Sequence, residues 1–216
     1  EEREFYLRLC IREHYSKREL ERQIDSGYFE RCMISVQKLS PMVRQIRPEL
    51  TEVFRDTYIF DFLSLPDGHS EKDLRSALIR KLRNFILEFG KDFTLIGEEY
   101  KVQVGKNDYF IDLLFYHRGL QCLVVLELKI DDFKPEFVGK LNFYLEALDR
   151  DVKKKHENPS VGIILCKSKD DEVVEYALSR NLSPTLISEY KTKLIDKRIL
   201  QKKLHELYEL SFKKED

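Results

Sequence analysis

Residues 109–130, YFIDLLFYHRGLQCLVVLELKI, carry three charges, Asp112, Glu127 and Lys129, inside two otherwise apolar runs. Two runs rich in Leu, Val, Ile, Phe and Tyr flank His117-Arg118-Gly119-Leu120, a polar break with a glycine. That pattern predicts two buried strands joined by a tight turn. With residues 118 and 119 at the turn centre, Asp112 is expected opposite Val125. Side chains alternate between faces, so Asp112, Val125, Glu127 and Lys129 are expected to share one face. Two carboxylates about 5 Å apart at an effective dielectric near 20 repel by roughly 3 kcal/mol, before any desolvation cost. One lysine offsets part of that repulsion and a divalent cation offsets it better. Asp112 followed by Glu127-x-Lys129 is therefore a candidate Mg²⁺ (or Mn²⁺) site with an adjacent cation. An ordinary partly buried salt bridge, Asp112 or Glu127 with Lys129, satisfies the same spacing.

Composition bounds the fold. The chain has 216 residues, 42% of them apolar, with 14 Phe and 11 Tyr, enough for one substantial domain plus a small one. Net charge is −1, so binding to a polyanion has to come from local clustering of the 38 Lys and Arg residues. Cys10, Cys32, Cys122 and Cys166 show no C-x-x-C spacing and are expected to be reduced and structural. No apolar run reaches the length of a membrane span and no signal pattern precedes EERE, so a cytoplasmic protein is expected. The chain starts without Met and within helical sequence, and is expected to be a fragment of something longer.

Along the chain, residues 3–14 form a short amphipathic pattern. Ser16-x-x-Glu19 then gives a capping-box signature for a helix from Lys17. Asp25-Ser26-Gly27 interrupts it. Helix, break and helix bearing Lys17, Arg18, Arg22 and Arg31 fits a helix-turn-helix, and equally a small helical domain with a solvated arginine-rich face. Pro41, Pro48 and Pro66 punctuate residues 41–69, which read as a connector docking Tyr58, Phe60, Phe62 and Leu63 on a neighbour. A domain boundary is expected near Pro66-Asp67-Gly68, dividing the chain into 1–68 and 69–216.

Ser70-x-x-Asp73 opens a helix expected to run to Phe89, with Leu74, Leu78, Leu82, Phe85 and Phe89 along one stripe. Glu88 lies on the flank of that stripe. Residues 93–104 read as a strand carrying Glu98 and Glu99, of which at most one can approach Asp112. After the hairpin, Pro135 starts a helix that places Lys140 and Tyr144 one turn apart. Residues 160–166 are a short buried strand. A helix from Asp170, a strand at PTLI, a lysine-rich helix near 196–210 and a solvated KKED tail complete the chain.

The Asp and Glu-x-Lys arrangement resembles the PD-(D/E)XK nuclease superfamily. The longer string is more specific: FILEFGKDFTLIGEEYKVQV, then YFIDLLFYHRGLQCLVVLELKIDDFKPEFVGKLNFYL, then NPSVGIILCKSKDDEVVEYAL. It resembles the YhcG-type family, formerly the DUF1016 domain. The resemblance implies an α/β fold with a restriction-endonuclease-like αβββαβ core, preceded by a small helical domain of helix-turn-helix or winged-helix kind. It implies a Mg²⁺-dependent nuclease acting on DNA, in defence, restriction or DNA processing. Asp112, Glu127 and Lys129 are then the catalytic residues. Glu88, from the first core helix, joins Asp112 and Glu127 as a metal ligand, with Glu98, Glu99, Lys140 and Tyr144 as accessory candidates. Some branches carry Gln at the position of Lys140; a lysine can contact a phosphate but accepts no hydrogen bond. Lys101, Lys106, Arg118, Lys134 and Lys140 are candidates for a phosphate-contacting rim, and Lys17, Arg18 and Arg22 for DNA contacts of the helical region.

Other chemistries lack residues. Neither Ser nor Cys sits in a recognisable triad, there is no phosphate-binding G-x-x-x-x-G-K-[ST] loop, and the five histidines show no ligand spacing. Two alternatives from other classes stand beside the enzyme: a catalytically silent nucleic-acid-binding or assembly module, and a subunit of a larger defence complex. DNA is the expected partner, and a homodimer is also open.

Overall fold

A computed structural model describes residues 1–34, 39–66 and 68–212. Asp67 of the expected boundary and the expected KKED tail lie outside the described residues. The elements are α1 (Glu2–Glu13), α2 (Lys17–Asp25), α3 (Tyr28–Ile34), α4 (Pro41–Ile46), α5 (Leu50–Val53), β1 (Thr57–Ile59), α6 (Glu71–Arg80) and α7 (Leu82–Phe89). They continue with β2 (Phe93–Val104), β3 (Asn107–His117), β4 (Cys122–Leu128), α8 (Glu136–Asp151), β5 (Val161–Cys166), α9 (Asp171–Leu178), β6 (Thr185–Lys191) and α10 (Lys197–Phe212). No helix among the described residues is long and apolar enough to cross a membrane.

One mixed sheet runs in the order β1-β6-β5-β4-β3-β2. β2, β3 and β4 form an antiparallel meander, and β4, β5, β6 and β1 are parallel. Every residue of β4 and β5 is buried, which is why both read as unbroken apolar runs. Such strands need cover on both faces. Leu126 and Leu128 pack on one face with Leu74 and Leu78 of α6 and Phe85 and Phe89 of α7. Val125 packs on the other with Leu141, Leu145 and Leu148 of α8 and Val174 of α9. α8 approaches β5 closely enough that a Cβ at Gly162 would lie 2.7 Å from Leu141 Cγ, so only glycine fits there.

The hairpin register differs from the expected one. Leu114 pairs with Val125 and His117 with Cys122, so the turn spans four residues, 118–121. His117 Nδ1 accepts a hydrogen bond from Leu120 N at 3.0 Å and Gln121 adopts a left-handed φ of 50°, both of which widen the turn. Continuing that register sets Asp112 opposite Glu127 in place of Val125. The shift is an even number of residues, so by itself it would leave each side chain on its expected face.

The stretch read as a connector contains α4, α5 and an edge strand, in which Tyr58 pairs with Tyr190; Tyr58 and Phe60 are fully buried. The helix expected from Ser70 to Phe89 breaks at Lys81, whose φ of −111° and ψ of 31° are not helical. The fold does not follow the division into 1–68 and 69–216. β1 belongs to the sheet, and Leu204 of α10 packs on the cluster of Tyr6, Leu9, Tyr28 and Phe29 from α1 and α3. The Ser16–Glu19 capping box is present.

The break at Lys81 re-aims Glu88 away from the hairpin. Its side chain is fully buried and accepts from Arg31 Nη1 at 2.9 Å, Arg22 Nη1 at 3.1 Å and Ile59 N at 2.9 Å; Arg55 Nη1 lies at 3.4 Å. This corrects the placement of Glu88 beside Asp112 and Glu127: it is an ionic tie between α2, α3, α7 and β1. It also corrects Arg22 as a DNA contact, since that guanidinium is spent on Glu88, Asp61 at 2.8 Å and Ile59 O. Burial opposes ionisation of Glu88, yet Arg31, Arg55 and Arg22 together hold its carboxyl below the ordinary value. Its charge therefore contributes stability that is fully present above the unfolded value of about 4.3 and is lost as pH falls through the lower folded value. Glu88→Gln should cost about 3–5 kcal/mol at neutral pH. Urea denaturation of both proteins should show that gap at pH 7 and its shrinkage in acid.

Candidate active site

The alternation of β3 breaks at Asp112. Ile111 and Leu114 both belong to the α8-side cluster, whereas Leu113 belongs to the α6-side cluster. Across the ladder, Glu99 of β2 holds a left-handed φ of 44°, unusual for a residue with a side chain. The β2–β3 ribbon thus turns relative to the main sheet beside Asp112, which places the carboxylate between the helices of the two faces.

Asp112 Oδ1 accepts from Arg75 Nη1 of α6 at 3.0 Å, and Oδ2 accepts from Leu128 N at 2.9 Å. Glu127 is fully buried and points to the α8 face, where its Oε1 contacts Lys140 Nζ and lies 3.1 Å from Lys129 Nζ. Its Oε2 is buried with no hydrogen-bond partner. Lys129 Nζ also reaches Glu71 Oε1 at 3.1 Å and Oε2 at 3.2 Å, and Leu128 O at 2.9 Å. Arg75 Nη2 reaches Glu99 Oε1 at 2.8 Å. Four carboxylates, Glu71, Glu99, Asp112 and Glu127, thus meet three cations, Arg75, Lys129 and Lys140, a local excess of one negative charge.

Burial pushes the Glu127 carboxyl above its ordinary value and neighbouring Asp112 adds to the shift, which contacts with Lys140 and Lys129 only partly oppose. Lys140 is itself pushed up: burial works against its charge, but the bond to Glu127 outweighs it. Tyr144 OH donates to Phe110 O at 2.9 Å, pinning α8 to the β3 backbone one turn beyond Lys140.

Asp112, Glu127, Lys129 and Lys140 come together as the hairpin and helix spacings implied, with Tyr144 beside them. Glu99 joins through Arg75, and Glu98 is exposed. Lys101, paired with Asp108 at 2.7 Å, and Lys106 lie on the projecting β2–β3 ribbon, and Lys134 is exposed in the turn after Lys129. Arg118 does not flank the site: six residues of strand, about 20 Å, separate it from Asp112. Lys17 and Arg18 are exposed on α2. Sequence reasoning missed Glu71 and Arg75. Their signal was a charged i, i+4 pair beside the apolar Leu74 and Leu78, at the end of the core helix opposite to Glu88.

Among the described residues no group of three or more His, Cys, Asp and Glu has metal-holding geometry. Mg²⁺ needs fewer protein ligands, taking one or two carboxylates and keeping several waters. The neighbouring Asp112 and Glu127, the unpartnered Glu127 Oε2 and the carbonyl of Leu128 are hard oxygen donors that fit that demand.

Residues 51–205 match the family model of the YhcG PDDEXK nuclease domain. The Escherichia coli (strain K12) protein named "Putative nuclease YhcG" is 37% identical over 207 residues, which are 94% of this chain and 55% of that protein. The chain thus spans little more than half of that relative's length. Among solved structures, a repair endonuclease from Pyrococcus abyssi aligns with 59% of this chain and 48% of its own, at 18% identity and a TM-score of 0.38. A structure described as an EndoMS–dsDNA complex aligns with 59% and 45%, at 17% identity and a TM-score of 0.39. With its family model covering the whole sheet and both sets of flanking helices, the chain belongs to the YhcG PDDEXK nuclease domain family.

Proposed function

We propose that this chain is a Mg²⁺-dependent endonuclease domain that hydrolyses phosphodiester bonds of DNA, acting in the cytoplasm in defence, restriction or DNA processing. The observation that carries the reading is the Glu127 carboxylate beside Asp112 and Lys129, with one buried, unpartnered oxygen. Asp112, Glu127 and the Leu128 carbonyl would hold the ion, which when bound polarises the scissile phosphate and lowers the pKa of an attacking water. Lys129, fixed by Glu71 and Leu128 O, sits where charge grows on the phosphorane and stabilises it. Lys140 is about half exposed and can move from Glu127 to a phosphate oxygen. Arg75 orients Asp112 from behind. Lys101, Lys106 and Lys134 contact flanking phosphates, and Lys17 and Arg18 extend that surface if the helical region reads DNA as a helix-turn-helix.

One observation favours a second reading. Lys140, Lys129 and Arg75 already neutralise three of the four site carboxylate oxygens of Asp112 and Glu127 together with Leu128 N, as they would in a silent assembly module or a subunit active only beside its partners. Cleavage separates the two. Labelled linear, single-stranded and four-way-junction DNA incubated with Mg²⁺, Mn²⁺ or EDTA should be cut only with metal. Asp112→Ala and Glu127→Ala should abolish cleavage while keeping the fold; retained cleavage rejects the site. Lys129→Met should lower kcat by about 10²–10³-fold with metal affinity little changed.

Proton and cation compete for Glu127. Since its carboxyl is raised, metal affinity should fall as pH drops through a value above the ordinary glutamate range. Lys140→Met removes a contact that lowers that value, so the loss should begin at still higher pH. Calorimetric Mn²⁺ titrations of both proteins across pH 5–8 check the direction.

A further inference from the structure

Two acids face each other across the outer ladder of the site. Glu98 pairs with Leu113 and Tyr100 with Ile111, so Glu99 of β2 and Asp112 of β3 occupy the matching positions between those pairs. Like charges directly opposite on an antiparallel pair repel. The guanidinium of Arg75, from α6, bridges them: Nη1 donates to Asp112 Oδ1 at 3.0 Å and Nη2 reaches Glu99 Oε1 at 2.8 Å. Among the described residues these are the two carboxylates in contact with Arg75. Its terminal nitrogens are thus divided between two acids, whereas an arginine facing a single carboxylate commonly engages both of its oxygens in parallel. The second Asp112 oxygen accepts from Leu128 N instead.

Glu99 holds its place in a strained backbone conformation, with a left-handed φ of 44° inside a strand. Stability does not account for that strain. The Glu99 side chain is 61% exposed, and an ion pair with so exposed a carboxylate adds little to folding. What the strained backbone does achieve is to keep a carboxylate on Arg75 at the one ladder position that faces Asp112.

We propose that Glu99 is a positioning residue for the candidate metal site: by taking one arm of Arg75 it keeps the guanidinium from closing on both Asp112 oxygens, and so leaves Asp112 open to a divalent cation. The inference rests on the reading of Asp112 and Glu127 as cation ligands. Glu99 acts through Arg75 and is not itself a ligand.

The test is calorimetric Mn²⁺ binding to the parent, Glu99→Gln, Arg75→Gln and the double variant, with Tm measured in parallel. Glu99→Gln, a change at an exposed side chain, should weaken Mn²⁺ binding about tenfold, as loss of a group that orients a metal ligand does. In the Arg75→Gln background the same substitution should change affinity by less than about twofold, because the link between Glu99 and Asp112 is already gone. A Glu99 that bound the ion directly, or acted through its charge alone, would keep its full effect there. Glu99→Gly should weaken Mn²⁺ binding as much as Glu99→Gln without lowering Tm, since glycine takes up a left-handed φ freely. This variant carries the test if Arg75→Gln, at a buried position, does not fold. Parent-like affinity in Glu99→Gln, an equal loss with and without Arg75, or a lowered Tm in Glu99→Gly would overturn the proposal. A parent that binds no Mn²⁺, or that binds it no better than Glu127→Ala, would overturn the reading of the metal site itself and this inference with it.

Discussion

The register of β3 against β4 is the constraint on which the rest of the molecule depends. Leu114 opposite Val125 and Phe115 opposite Val124 place apolar side chains on both faces, so a slip of one residue would exchange every inward side chain between two different helical layers. The same register, which ends at Leu113 opposite Leu126, leaves Asp112 and Glu127 as neighbours just beyond the last pair. Because β4 and β5 are buried throughout, α6 and α7 must cover one face and α8 the other. Those covering helices deliver Glu71 and Arg75 from one side and Lys140 and Tyr144 from the other. The site is a by-product of covering the sheet, assembled where the two layers meet at its edge.

Two buried carboxylates show how partners decide the state of a buried acid. Glu88 and Glu127 are both fully buried, and burial alone would raise both. Glu88 meets three guanidiniums and a backbone N–H, and its carboxyl falls. Glu127 meets two ammonium groups and an opposing carboxylate, and its carboxyl rises. The first arrangement suits a permanent tie between elements. The second leaves an oxygen without a partner and a net negative charge, so a cation has something to gain there.

The excess charges of the two ionic centres are opposite in sign. Among the described residues the Glu88 centre keeps a surplus guanidinium, while the Asp112–Glu127 centre keeps a surplus carboxylate. Merging them would have neutralised both. The break at Lys81 keeps them apart by directing the last turn of α7 toward β1 and the N-terminal helices.

Periodicity was enough to place every strand but β1, the helix caps at Ser16 and Ser70, and the grouping of Asp112, Glu127 and Lys129, because alternation and capping are local properties of the chain. Even the error in turn length left the cluster intact, since a two-residue shift preserves the face. Which acid of the first core helix approaches the cluster was not legible. Glu88 and Glu71 stand at opposite ends of one apolar pattern, and only the non-helical backbone at Lys81 decides that Glu88 turns to Arg31 while Glu71 turns to Lys129. The inward turn of Arg22 and the joining of β1 to β6 were equally hidden, for both depend on partners far away in sequence. Local pattern determines which residues share a face; long-range packing decides which faces meet.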